Sequence, residues 1–180
     1  RVYSAAVIWR NEEELNDLLD FFSQEKIDIK DSKKLKPLER KKLKTYIEEY
    51  SLDYSVSWCC EKEIDKYNIL NATIFSMKRA YRKFKNTKFK IKIDGLKTFE
   101  LNERTTFHIK GDQKSITIAA ASIVAKVYRD DLMIKHSSDY PQYGWVRNKG
   151  YGTKEHIDAI QKFGISKHHR KSFIKNLNLS

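Results

Sequence analysis

The run Lys110 to Asp131, KGDQKSITIAAASIVAKVYRDD, decides the fold. At about 100° per residue, Ala119, Ile123, Val127 and Ile134 share one face, which predicts a buried helix with Asp130 projecting from the middle of its apolar stripe. A lone ionised acid is expensive to bury, so Asp130 must pair with a cation, collect hydrogen bonds or bind a metal. Lys126, one turn earlier, offers an ordinary i,i+4 ion pair, and from this helix alone that reading stands beside the metal.

Upstream, FKIKID at 89–94 alternates Phe89, Ile91 and Ile93 against Lys90, Lys92 and Asp94 before Gly95 breaks the run. Asp94 is thereby expected at the C-terminal lip of a strand, where sites form in α/β sheets. It reads either as a solvated turn acid or, with Asp130, as a hard oxygen ligand for Mg²⁺ or Mn²⁺. Strands are expected at 2–9, 53–58, 88–94 and 105–109, with Tyr54, Val56 and Trp58 on one face of the second. Helices are expected at 11–24, at 37–50 behind Pro37, at 69–84 and at 153–163. In the third of these, Leu70, Ile74, Met77, Tyr81 and Phe84 form a stripe read as core. The alternation of strand and helix makes the class α/β.

With 180 residues, 40% of them hydrophobic, the chain suits one domain with a real core. Its net charge of +12 is spread through core-bearing segments, which favours a polyanionic partner, nucleic acid ahead of a membrane surface. No apolar run approaches the roughly 18 residues that span a bilayer, and no signal peptide opens the chain. Cys59 and Cys60 are adjacent, which suits neither an ordinary disulfide nor metal-ligand spacing, so a reduced, cytoplasmic setting is expected.

Three polar clusters fall in connections. Asp31-Ser32-Lys33-Lys34 lies ahead of a helix, where hydroxyl, ammonium and N–H groups suit a phosphate, or simply solvent. Lys110-Gly111-Asp112-Gln113-Lys114-Ser115 has the same character. KGYGT at 149–153 sets Tyr151 between glycines, either as a stacking platform or as a turn whose ring packs on the protein.

In order and spacing, DSKKL (31–35), YNILNATIFSMKRA (67–80), IDG (93–95), KGDQKSITIAAASIVAKVYRD (110–130), YPQYGW with KGYGT (140–153) and HRKSF (169–173) resemble the bacterial ribonuclease HII family. The resemblance implies a ribonuclease H-like mixed sheet flanked by helices: a catalytic core over 1–135 and a helical, substrate-binding extension over 136–180. It implies a monomeric endonuclease that cleaves the RNA of RNA/DNA hybrids and cuts beside ribonucleotides embedded in duplex DNA, leaving 5′-phosphate and 3′-hydroxyl ends. Asp94 and Asp130 would hold Mg²⁺ or Mn²⁺. Tyr151 would stack at the RNA-to-DNA junction, Ser32 and Lys33 would hold backbone phosphate, and Lys110, Lys114 and Lys149 would line the substrate path. His169 reads as a packing residue. The family's opening strand, with an adjacent Asp-Glu pair and Gly-Arg-Gly, has no counterpart here, and Glu12, Glu13 and Glu14 follow the strand at 2–9, which matches the family's second strand, and cannot replace it. The chain as given is therefore expected to lack the central strand, to be poorly stable and to be inactive alone.

Overall fold

Two ladders make up the β-structure of the computed structural model, which describes residues 1–25, 29, 35–84 and 89–174. Strands β1 (Val2–Ile8) and β2 (Asp53–Cys59) pair antiparallel, with Ala5 opposite Val56. Strands β3 (Ile91–Asp94) and β4 (Thr105–His108) pair parallel, with Asp94 opposite His108. Among the described residues no strand joins the two ladders.

Helix α1 (Glu12–Gln24) starts where Asn11 Oδ1 accepts the Glu14 N–H at 2.9 Å. Helix α2 (Pro37–Tyr50) has proline in its first turn and the Glu39 carboxylate on the Lys36 N–H at 2.7 Å. The helix expected from the opening run is α5 (Ile116–Asp139), preceded by the short α4 (Gly111–Lys114). Leu18 and Phe22 of α1, Leu43 and Ile47 of α2, Val56 of β2 and Ile123 and Val127 of α5 form the main core. Each such side chain contributes roughly 1.5–3 kcal/mol by leaving water. Beyond α5 come a 3₁₀ turn (Pro141–Tyr143), α6 (Trp145–Asn148), α7 (Lys154–Phe163) and α8 (Lys171–Ile174), around a second core of Tyr143, Trp145, Ala159, Ile160 and Ile174. Helix α5 runs unbroken through both, giving Met133 to the second, while the outermost member of its expected face, Ile134, is 37% exposed.

Helix α3 (Glu61–Tyr81) departs from the reading of its sequence. Asn68, at φ 67° and ψ 168°, interrupts it, and its Oδ1 caps the following segment by accepting the Asn71 N–H at 3.0 Å. Asparagine is among the few residues that enter positive φ at low cost. The face that buries after this break is Ala72, Ser76 and Ala80, while Leu70 of the expected core stripe is 57% exposed. Small side chains let α3 approach the β1–β2 ladder. Ser4 Oγ and Ser76 Oγ lie 2.5 Å apart, and Ser55 Oγ donates to the Ala80 carbonyl at 2.6 Å. The serine face of β2 is thus covered. On the other face Tyr54 and Val56 meet the main core, but Trp58 lies past its end and stacks on Tyr3 at 5.8 Å.

Among the described residues, no helix is long and apolar enough to cross a membrane.

Candidate active site

Parallel pairing brings the ends of β3 and β4 to one lip. Asp94 closes β3, and after β4 the chain turns through Lys110, at φ 54°, into α4. That turn folds back on the acid: the Gly111 N–H donates to Asp94 Oδ1 at 2.7 Å. The approach is so close that a Cβ on Gly111 would lie 3.3 Å from Asp94 Oδ1 and 2.6 Å from Ile118 Cδ1. The next residue, Asp112, is 5% exposed. The lip thus carries Asp94, held by a backbone donor, and the buried Asp112 one residue past that donor, with Lys110 and Lys114 exposed in the same segment.

Asp130 occupies a different place. It lies 12 positions beyond Ile118, the residue that meets Gly111, and 12 residues of α-helix rise about 18 Å. Mg²⁺ binds oxygen at about 2.0–2.1 Å, so one ion does not span that interval, and the expected convergence of Asp94 with Asp130 is corrected. The ordinary ion pair is what the structure shows: the Lys126 ammonium reaches both Asp130 oxygens at 2.6 and 2.7 Å, and the Arg129 guanidinium reaches one at 3.1 Å. Asp130 is 8% exposed and satisfied by these partners.

The same cations support the Tyr151 ring, which lies 5.1 Å from Lys126 Nζ and 4.4 Å from the Arg129 guanidinium and is 52% exposed. Gly150, at φ 75°, permits this approach, since a Cβ there would lie 2.9 Å from Met133 Cε. Lys149 donates to the Val146 carbonyl. Burial pulls its ammonium below the ordinary lysine range, against the charge of Asp130. A shelf of Lys126, Arg129, Lys149 and Tyr151 thus stands on α5, while Ser32 and Lys33 lie outside the described residues.

The shelf loop is anchored in the second core. His156 Nδ1 donates to the Tyr151 carbonyl at 2.9 Å, and its Nε2 accepts the Trp145 indole N–H at 3.0 Å. His169 Nδ1 accepts the Ser166 N–H at 2.9 Å, which leaves its Nε2–H to meet His156 Nε2 at 3.2 Å. Both rings are neutral in this arrangement. Burial, with His156 adjacent, pulls His169 down to about 4, so it is a packing residue as expected.

No group of three or more His, Cys, Asp or Glu that could hold a metal ion is found among the described residues. Asp94 and Asp112 supply two hard oxygen donors, which fits Mg²⁺ or Mn²⁺, ions that take one or two carboxylates and complete their shell with water and phosphate oxygens. Asp112 escaped the sequence reading because its KGD context suggested phosphate binding. The available signal was strand direction: if β3 and β4 run parallel, the turn after β4 must lie beside the end of β3.

The fold is that of the ribonuclease H2 class of structures. Among solved structures, the ribonuclease H2 of Pyrococcus horikoshii superposes with a TM-score of 0.73 at 21% identity, covering 95% of this chain and 92% of that one. The structure of the PCNA:RNase HII complex from Archaeoglobus fulgidus gives 0.72 at 20% identity, covering 99% and 89%. The sequence model of Ribonuclease HII matches residues 5–176, and the chain belongs to that family. The Ribonuclease HII of Pelagibacter ubique is 46% identical over 173 residues, 96% of this chain and 87% of that protein. That of Clostridioides difficile is 46% identical over 149 residues, and there the match spans 58% of the relative's length.

Proposed function

We propose that this protein is a metal-dependent endoribonuclease acting on RNA/DNA hybrids and on single ribonucleotides in duplex DNA. The observation that carries the reading is the lip at which the Gly111 N–H holds Asp94 beside the buried Asp112. Asp94 and Asp112 would hold Mg²⁺ or Mn²⁺, which when bound supplies Lewis-acid polarisation of the scissile phosphodiester and a more acidic water. The protein's own groups orient the substrate. Tyr151 offers its exposed ring to a sugar or base, and Lys126, Arg129 and Lys149 neutralise backbone phosphates. Lys110 and Lys114 flank the lip, and Ser32 and Lys33 would hold backbone phosphate. Asp130 acts as a positioning residue that fixes Lys126 and Arg129. Residues 1–135 would form the catalytic core and 136–180 the substrate-binding extension of a cytoplasmic monomer, in keeping with its two free cysteines.

The test uses the full-length protein on a duplex with one ribonucleotide and on an RNA/DNA hybrid, with Mg²⁺, Mn²⁺ or EDTA. Asp94→Asn and Asp112→Asn should each slow cleavage by roughly 10²–10³-fold while hybrid binding persists. Asp130→Asn should act mainly on KM. Normal cleavage by Asp112→Asn together with a dead Asp130→Asn would return the metal seat to α5 and refute the assignment.

A further inference from the structure

The outward face of α3 carries cations that the site above does not use. Lys62, Lys66, Lys78 and Arg82 wall a groove of about 590 Å³, with Tyr67 and Phe75 between them. Its one acid, Glu63, is engaged by Arg79 at 2.5 Å and by the Cys60 N–H at 2.8 Å. Among the described residues no carboxylate pairs with the four wall cations. Lys66 lies 4.9 Å from the Tyr67 ring, and Tyr67 and Phe75 meet edge to face at 5.2 Å while staying 37% and 36% exposed. The break at Asn68 makes this possible, because it leaves Tyr67 and Phe75 on the solvent side while Ala72 and Ser76 pack inward.

Cationic walls around open rings complement a polyanion whose units carry flat apolar faces. An acidic protein segment would satisfy the cations and leave the rings idle. In a duplex the base faces are already stacked on one another, so rings of this kind serve unpaired bases. We propose that the α3 groove binds single-stranded nucleic acid, holding an unpaired overhang that flanks the hybrid. Only the neighbouring hybrid in this statement rests on the proposed nuclease function.

Fluorescence anisotropy with the full-length protein tests it on three probes: a blunt RNA/DNA hybrid, the same hybrid with a dT overhang, and free oligo(dT). The overhang should tighten binding about tenfold, the effect of roughly one stacked base. Tyr67→Leu/Phe75→Leu and Lys66→Ala/Lys78→Ala should each erase that gain and leave blunt-hybrid affinity unchanged. The lysine variant should also flatten the salt dependence of oligo(dT) binding by about 1.4 in log–log slope. An overhang that adds nothing, or a gain that survives both variants, overturns the proposal. So does polyglutamate competing as well as oligo(dT), which assigns the groove to an acidic protein. Oligo(dT) binding is read without cleavage, so a protein that binds it through these residues yet cuts nothing refutes the nuclease reading and upholds this one.

Discussion

Acidification from about pH 7.5 to about pH 5 is expected to remove about 2 kcal/mol of stability through His169. Its folded value is about 4 against an ordinary 6.5. As pH falls through 6.5 the unfolded imidazole takes up a proton, while the folded one stays neutral until near 4. Stability is therefore complete above the upper value and is lost on the way down to the lower. At ~1.36 kcal/mol per pH unit the full loss is about 3 kcal/mol, of which about 2 has occurred by pH 5. For a chain of 180 residues that lowers Tm by about 5 °C. Burial also pulls His136, His156 and His168 down, which adds in the same direction. Glu63, held at about 2 chiefly by Arg79, loses its contribution only below its ordinary 4.5, outside this window. Thermal unfolding at fixed ionic strength, for wild type and His169→Gln, provides the measurement. The variant starts lower because it loses the Ser166 contact, so the quantity compared is the fall in Tm between the two pH values. Equal falls in both proteins refute the assignment to His169.

Two further outcomes bear on the site and its support. Gly111→Ala should cost about 1–3 kcal/mol, because its Cβ must displace Ile118 Cδ1 at 2.6 Å in the core, and it should slow cleavage further by shifting Asp94; calorimetry and a cleavage assay at a temperature where the variant is folded separate the effects, and an unchanged rate counts against a role for the lip. Asp65 accepts the Lys171 N–H at 3.0 Å and the Ser172 N–H at 2.9 Å, capping α8 from α3, so Asp65→Ala should lose about 1 kcal/mol. Faster amide exchange at Lys171 and Ser172 is the expected sign, and unaltered exchange there would show that the cap contributes nothing.

What the sequence made legible was whatever repeats with a period. Proline placed the start of α2, the alternating run placed the end of β3 at Asp94, and the apolar face of α5 marked its buried side, because local sterics and one buried face decide them. The helix expected over 69–84 begins directly after Asn68; what went unread was the segment Glu61 to Tyr67 before that break, and a burying face made of Ala72, Ser76 and Ala80, whose small side chains give no apolar stripe. The serine face of β2 was missed for a related reason: Ser55 buries with its hydroxyl bonded to the Ala80 carbonyl, and Ser55 and Ser57 are small enough to admit α3 closely, and hydropathy registers neither effect. The relation of Asp94, Asp112 and Asp130 is a matter of how far apart elements sit in space. Chain spacing carries no record of the helical rise that separates Asp130 from the lip, nor of the parallel pairing that returns Asp112 to it.

The two cations within about 5 Å of the Tyr151 ring both come from α5, and about half of the residue remains exposed. Under the proposed function a nucleoside would stack on the exposed part of that ring, and the cations set beside it would favour one orientation of the strand that carries it. Under the proposed function such a platform would act as a stop against which a strand is indexed, so that the position of a cut would be counted from Tyr151 and not from any base sequence.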